Sequence, residues 1–315
     1  MKLKHFFLCL ILYLTMAITP VFAEVKPLSF YYLPNLNLTF EKNNDSYAIA
    51  QEVINKIKAD TNVDFNVFGG NLTLNIDGTY NDIPFFTDLA DSTEKPYYVI
   101  FGNNDARLNK DYTTRDFTSE FRKNGFNIPE LTYWNDESHE GYNIIGLDTT
   151  ICNSNNSQIS KEQYRWLAQT LNTYKVPTIM FMYHSAVETG VKVIDETNLA
   201  DSKQFIDFVA NFPQIKLIIS GNTEINFAKK IGQTFYFNAP SITSYPNMYE
   251  KFTLYPDRIE VTRTQIPYKQ LIKKHKTNAI NSEKAKNYNP NKSAEFLDIL
   301  EGDKFSKQEV YYFLK

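Results

Sequence analysis

The sequence predicts an α/β fold of stacked layers, and three observations predict it. Short apolar runs rich in Val, Ile, Phe and Tyr alternate with longer amphipathic stretches. The runs are too brief for helices, whereas the stretches repeat their apolar residues at helical spacing. Composition agrees, because 43% hydrophobic and 22% charged residues with 15% aromatics suit a globular chain with a large core. That mixture excludes intrinsic disorder, collagen and coiled coil. At a formal net charge of −3, no basic field recruits nucleic acid.

The elements follow in order. Lys2 and Lys4 precede an apolar run from Phe6 to Ile18, and Val21-Phe22-Ala23 stands at cleavage spacing. Residues 1–23 therefore read as an export signal, too short for a comfortable membrane span, with an uncleaved anchor as the alternative. The mature chain is then expected to be secreted or periplasmic, with no membrane span. Cys9 falls within the signal and leaves Cys152 alone, so no internal disulfide is possible. Cys152 borders an Asn/Ser loop and reads as an incidental thiol.

Strands are expected at Leu28–Tyr32, Phe65–Phe68, Tyr97–Phe101, Asn143–Asp148, Thr178–Tyr183 and Ile215–Ser220. Helices lie between them. Ser46–Ala59 aligns Ala48, Ile49, Val53, Ile54 and Ile57 on one stripe. Ser160-Lys-Glu-Gln163 is a capping box opening a helix with Trp166, Leu167 and Leu171 on one face. Ser202–Phe212 repeats the pattern and stops at Pro213. Further strands are expected at Phe235–Asn238, Lys251–Tyr255 and Arg258–Thr264. One domain then spans 24–266. Residues 267–315 form a polar, Lys-rich tail; from 265 to 315 the chain has ten Lys against six acids. The tail reads as a solvated, partly ordered appendage. Two short helices are expected in it, one after Ser293 and one opened by Ser306-Lys-Gln-Glu309 before Val310–Leu314.

The strand ends carry the chemistry, because open α/β folds bind ligands outside the carboxyl ends of their strands. Phe68 leads into Gly69-Gly70-Asn71, and Phe101 into Gly102-Asn103-Asn104-Asp105. Tyr183 leads into His184, and Ser220 into Gly221-Asn222-Thr223-Glu224. Turns alone favour Gly and Asn, but four such loops at successive strand ends point to a polar pocket.

These loops, in this order, resemble the calcineurin-like metallophosphoesterases over roughly 28–264. The Ile159–Leu167 helix start, the Pro177–His184 strand and the Ala239-Pro240-Ser241 to Ser244-Tyr245-Pro246 segment extend the resemblance. It implies two packed β-sheets flanked by helices, a four-layer α/β/β/α sandwich. It also implies two divalent metals between the loops. Their ligands would stand at Leu33, Asn35, Asn71, Asn103, His184, Asn222 and Glu224, with an acid at Asn104. Only Asn103 and His184 keep the family's residue type, and Leu33 has no donor at all.

Magnitudes make this loss chemical rather than cosmetic. Two dications about 3.5 Å apart repel by about 20 kcal/mol at an effective dielectric near 20. The bridging position is neutral Asn71, and Glu224 is the one acid left in the set. Amide oxygens are weak ligands for zinc, iron or manganese. Asn104 neither carries positive charge nor transfers a proton near neutral pH. Asn makes up about one residue in ten of the chain, so drift competes with selection for a neutral pocket.

Three readings follow. The first is an exported pseudoenzyme, a binding or scaffold module with a small polar ligand or a protein partner and no cofactor. The second is a phosphoesterase with one weakly held Mg, Ca or Mn ion on Asn103, His184 and Glu224, helped by Asn71 or Asn222. The third is a metal-free binder of a sugar or nucleoside through Asn35, Asn71, Asn104, Asn222 and Glu224. His184 without its partners reads as a packed, hydrogen-bonded histidine. Asp105 and Asp148 read as turn or helix caps, and His139 as solvated.

Overall fold

The computed structural model describes residues 26–39, 44–75, 82–302 and 308–313; the expected export signal lies outside them. Among the described residues, twelve strands make two six-stranded sheets. In the first, β1 (Leu28–Leu33), β2 (Phe65–Phe68) and β3 (Tyr97–Val99) run parallel. Antiparallel β10 (Met248–Leu254), β11 (Arg258–Gln265) and β12 (Gln308–Tyr312) extend it beyond β1. In the second, β5 (Asn143–Gly146), β6 (Thr178–Phe181), β7 (Ile215–Ser220) and β9 (Thr234–Asn238) run parallel. Antiparallel β4 (Trp134–Asp136) and β8 (Phe227–Ile231) edge it.

Aromatic side chains fill the space between the sheets. Phe30 lies edge-on to Phe181 at 5.3 Å, Tyr32 stacks on Phe181 at 5.7 Å, and Phe237 meets Phe252 at 5.4 Å. All five are fully buried, and aromatic pairs at such distances add to area burial. Helix α1 (Ser46–Ala59) buries Ile49, Val53, Ile54 and Ile57, and α2 (Ile83–Asp91) buries Phe86 and Leu89 in this same core. Thr113 caps α3 (Thr114–Glu120) in a full capping box with Asp116. On the second sheet, α4 (Lys161–Thr173) and α6 (Ser202–Val209) bury Leu167, Leu171, Phe205 and Val209 against Met180 and Ile218. Short α5 (Lys192–Asp195) precedes α6. The four layers agree with the expected sandwich.

Three expectations need correction. Ser160 does accept the Gln163 N–H, but the Gln163 side chain turns away from the cap. It pairs instead with the backbone N–H and carbonyl of Asp148, at 2.9 and 2.6 Å. His139 is half-buried rather than solvated, 4.8 Å from the Phe65 ring and 3.0 Å from the Tyr98 hydroxyl. The third correction concerns the tail, which is part of the fold. It forms α7 (Lys269–Asn281), α8 (Glu283–Tyr288), a 3₁₀ turn (Ser293–Glu295) and α9 (Phe296–Glu301). Residues 308–312 form strand β12 on β11, where a helix was expected. Ala285, Phe296, Leu297 and Leu300 are buried with Ile194, Ile225 and Tyr245, and this burial overrides the polar average of the segment.

Candidate functional site

The parallel strands of both sheets end in one set of converging loops. Pro34–Asn37 follows β1, Gly69–Asn71 follows β2, and Gly102–Asp105 lies beyond β3. Leu147–Thr149 follows β5, Met182–His184 follows β6, Gly221–Glu224 follows β7, and Ala239–Tyr245 follows β9. The approach is close. A Cβ on Gly221 would stand 2.2 Å from the Pro34 Cβ, and one on Gly102 would stand 2.4 Å from the Asn71 nitrogen. Only glycine fits such contacts.

The expected site residues lie on these converging loops, and the amides of Asn35, Asn71, Asn104 and Asn222 bind protein groups. Asn35 donates from its side chain to the Gly221 carbonyl at 2.8 Å, joining the two sheets' loops. Asn71 donates to the Tyr183 hydroxyl at 2.6 Å, while its carboxamide oxygen accepts the Asn104 N–H at 2.8 Å. Asn104 donates to the Asn37 carboxamide oxygen at 3.0 Å. Asn222 donates to the Thr197 carbonyl at 2.8 Å, away from the other loops' amides. Asn35 and Asn71 also hold φ of 50° and 51°, a left-handed conformation that Asn tolerates better than most residues. Leu33 is buried in the core.

The acids divide by role. Asp105 is fully buried and accepts three backbone N–H groups, from Asn71 at 2.7 Å, Gly102 at 2.9 Å and Leu72 at 3.1 Å. Burial pushes its carboxyl up to about 7, and those three bonds oppose the rise. Asp148 accepts the N–H and hydroxyl of Thr150 and the hydroxyl of Thr132. Asp148 caps a turn as its position suggested, whereas Asp105 closes its own turn at Gly102 and also ties that loop to Asn71 and Leu72. Glu224 is half-buried at φ 59°, with its carboxylate 3.5 Å from the Ser241 hydroxyl.

His184 is 1% exposed, and its Nδ1 lies 2.8 Å from the Thr149 hydroxyl. Burial pushes its pKa down to about 4, so the ring is neutral at pH 7. Its Nε2 and the Asn103 carboxamide oxygen are buried without a hydrogen-bond partner among the described residues. Sequence reasoning missed Asn37, Thr149 and the Tyr183 hydroxyl. Thr149 could have been found, since it sits at a strand's carboxyl end like the loops that were chosen.

A dinuclear centre does not fit these residues. The bridging position is a neutral amide with both ends occupied, and no group of three or more His, Cys, Asp or Glu among the described residues could hold an ion.

A family profile, calcineurin-like phosphoesterase, matches residues 43–224, more than half of the chain. The chain belongs to the calcineurin-like phosphoesterase family. A probable cyclic nucleotide phosphodiesterase from Synechococcus sp. is 29% identical over 104 residues, 33% of this chain and 41% of that protein. A probable glycerophosphodiester phosphodiesterase from Arcobacter nitrofigilis is 25% identical over 163 residues, 50% of this chain and 56% of that protein. The chain thus spans about half the length of these phosphoesterase relatives. Among solved structures, a dimetal phosphatase from Danio rerio matches with a TM-score of 0.59 at 9% identity, over 76% of this chain and 96% of that one. A purple acid phosphatase from yellow lupin matches at 0.55 and 9%, over 77% and 52%. Likeness at such identity shows the shared phosphoesterase fold. No helix among the described residues is long and apolar enough to cross a membrane.

Proposed function

We propose that this chain is an exported binding module built on the phosphoesterase fold, without dinuclear metal hydrolysis. One observation carries the reading. Asn71, at the position expected to bridge two ions, is neutral and is held at both ends, by the Tyr183 hydroxyl and the Asn104 N–H. A bridging ligand must offer anionic lone pairs to two cations; this one spends its oxygen on a backbone proton. Asn104 is equally committed, to Asn37, and supplies no acid. The cleft loops keep their shape through hydrogen bonds from side-chain amides to neighbouring loops. The partner fits the cleft as a polar ligand or a protein surface, and export follows from the reading of residues 1–23.

Two relatives are named as phosphodiesterases, so the test uses diester as well as monoester substrates. Full-length protein purified without chelator is supplied with Mn²⁺, Mg²⁺ or Zn²⁺. It is assayed on bis(p-nitrophenyl) phosphate and p-nitrophenyl phosphate beside a His184→Ala control. The reading expects no nitrophenol release above the control; metal-dependent release above it overturns the reading.

A second reading has its own observation. The His184 Nε2 and the Asn103 oxygen are both buried without a partner among the described residues, and if Nδ1 carries the ring proton to Thr149, both can offer lone pairs to a divalent cation. Metal-dependent thermal stabilisation that disappears in His184→Ala, without turnover, distinguishes this state from the metal-free module.

A further inference from the structure

A cavity of about 610 Å³ separates the cleft loops from the carboxyl-terminal helices. That volume falls within the range of about 300–1,000 Å³ usual for small-molecule sites. One wall is made by the strand-end loops, with Glu224 after β7 and Thr243 and Ser244 after β9. The opposite wall comes from α7, α8 and α9, beyond the segment that matches the family. The cavity therefore lies at the junction of the strand-end loops and the carboxyl-terminal helices.

We propose that this cavity binds an uncharged hydroxylated ring with the size and chemistry of a sugar. The inference rests on the non-catalytic reading, because it uses Glu224 as a hydrogen-bond acceptor rather than as a metal ligand. Tyr245, Ala279, Phe296 and Leu300 supply an apolar surface suited to the C–H face of a ring. Glu224 can accept from vicinal hydroxyls, since among the described residues its carboxylate has only the long Ser241 contact. The Thr243 and Ser244 hydroxyls donate to the Asn35 carbonyl and the Ser241 hydroxyl and keep lone pairs to accept, and the Asn278 carboxamide can both donate and accept. Behind Glu224, Thr223 is 1% exposed and its hydroxyl has no hydrogen-bond partner among the described residues.

Charge argues against an anionic ligand. Glu224 and Glu283 face Lys284 in the wall, and Lys276 Nζ lies 5.7 Å from the Tyr245 ring centroid. The lining holds two carboxylates against one ammonium group, and at Tyr245 the acids Glu301 and Asp298 offset Lys276, so the field is not positive. Burial, with Lys274 beside it, lowers the pKa of His275, which therefore adds no positive charge at neutral pH. A phosphate ester would find no surplus of cations here.

The test uses full-length protein with EDTA present and measures thermal shift and calorimetric binding. The probes are methyl α-glucoside, methyl β-galactoside and N-acetylglucosamine, with glucose 6-phosphate as the charged control. At least one neutral probe is expected to bind and to bind more tightly than glucose 6-phosphate. Ala279→Leu, which fills the cavity, is expected to weaken that binding by at least about tenfold, and Glu224→Gln to weaken it as well. If Ala279→Leu fails to fold, exposed Asn278→Leu replaces it. Failure of every neutral probe to bind, or binding unchanged by the filled cavity, overturns the proposal. Metal content measured on the same preparation separates the two ideas. Sugar binding by protein carrying two metals would sink the non-catalytic reading alone, and metal-free protein that binds no sugar would sink this inference alone.

Discussion

The interior between the sheets and the loops at the strand ends are stabilised by different means. The interior relies on non-directional burial, through Phe30, Phe181, Phe237 and Phe252, all fully buried. The loops rely on directional bonds, nearly all through neutral amides and one buried carboxylate. The difference teaches that the shape of the strand-end loops can rest on directional bonds among neutral groups rather than on burial. Asp105 and Asn71 meet in one directional bond. The carboxylate that holds backbone N–H groups is present, while the position expected to hold metal is an amide.

The contrast can be broken most forcefully in the interior. Phe181→Ala is expected to cost about 3–5 kcal/mol by chemical denaturation, from lost burial plus the cavity left behind. Asp105→Ala comes next, because it strands three buried backbone N–H groups. It is expected to cost about 2–4 kcal/mol and to loosen hydrogen exchange at Asn71, Leu72 and Gly102. Asn71→Ala is expected to cost about 1–2 kcal/mol, with metal content unaltered. A loss of bound metal on that substitution would instead show that the amide serves an ion.

The smallest effect is a pH dependence away from the cleft. Burial lowers the pKa of His139, and Asp136 only partly opposes it. Acid therefore protonates the unfolded chain first. The stability owed to this neutral ring is complete above the unfolded value, about 6.5, and is lost as pH falls below it. His139→Gln is expected to flatten that part of the acid loss in melts taken from pH 7 to pH 5; an unchanged slope would contradict it.

Much of the sandwich was legible because its strands are apolar runs and its long helices carry a clear stripe, as in Ser46–Ala59. Strand ends ran too far in the reading. Phe101 and Tyr183 are as apolar as strand residues, yet they lie beyond β3 and β6 on the way into the loops. Short elements such as Trp134–Asp136 carry too few residues to show a period. The tail misled because Lys side chains dominate its average, while the few residues that dock it, Phe296 and Leu300 among them, are scattered. The site positions were legible from their Gly-Asn loops. Their bonding was not, since Asn71 meets Tyr183 across 112 residues of sequence.

Metal stoichiometry tests the central claim most directly. Full-length protein is purified without chelator from medium containing manganese, iron and zinc, and its metals are counted by plasma mass spectrometry. The amide-held cleft predicts far less than two ions per chain, with no rise after dialysis against those metals. Two ions per chain, bound tightly enough to survive gel filtration, would contradict it.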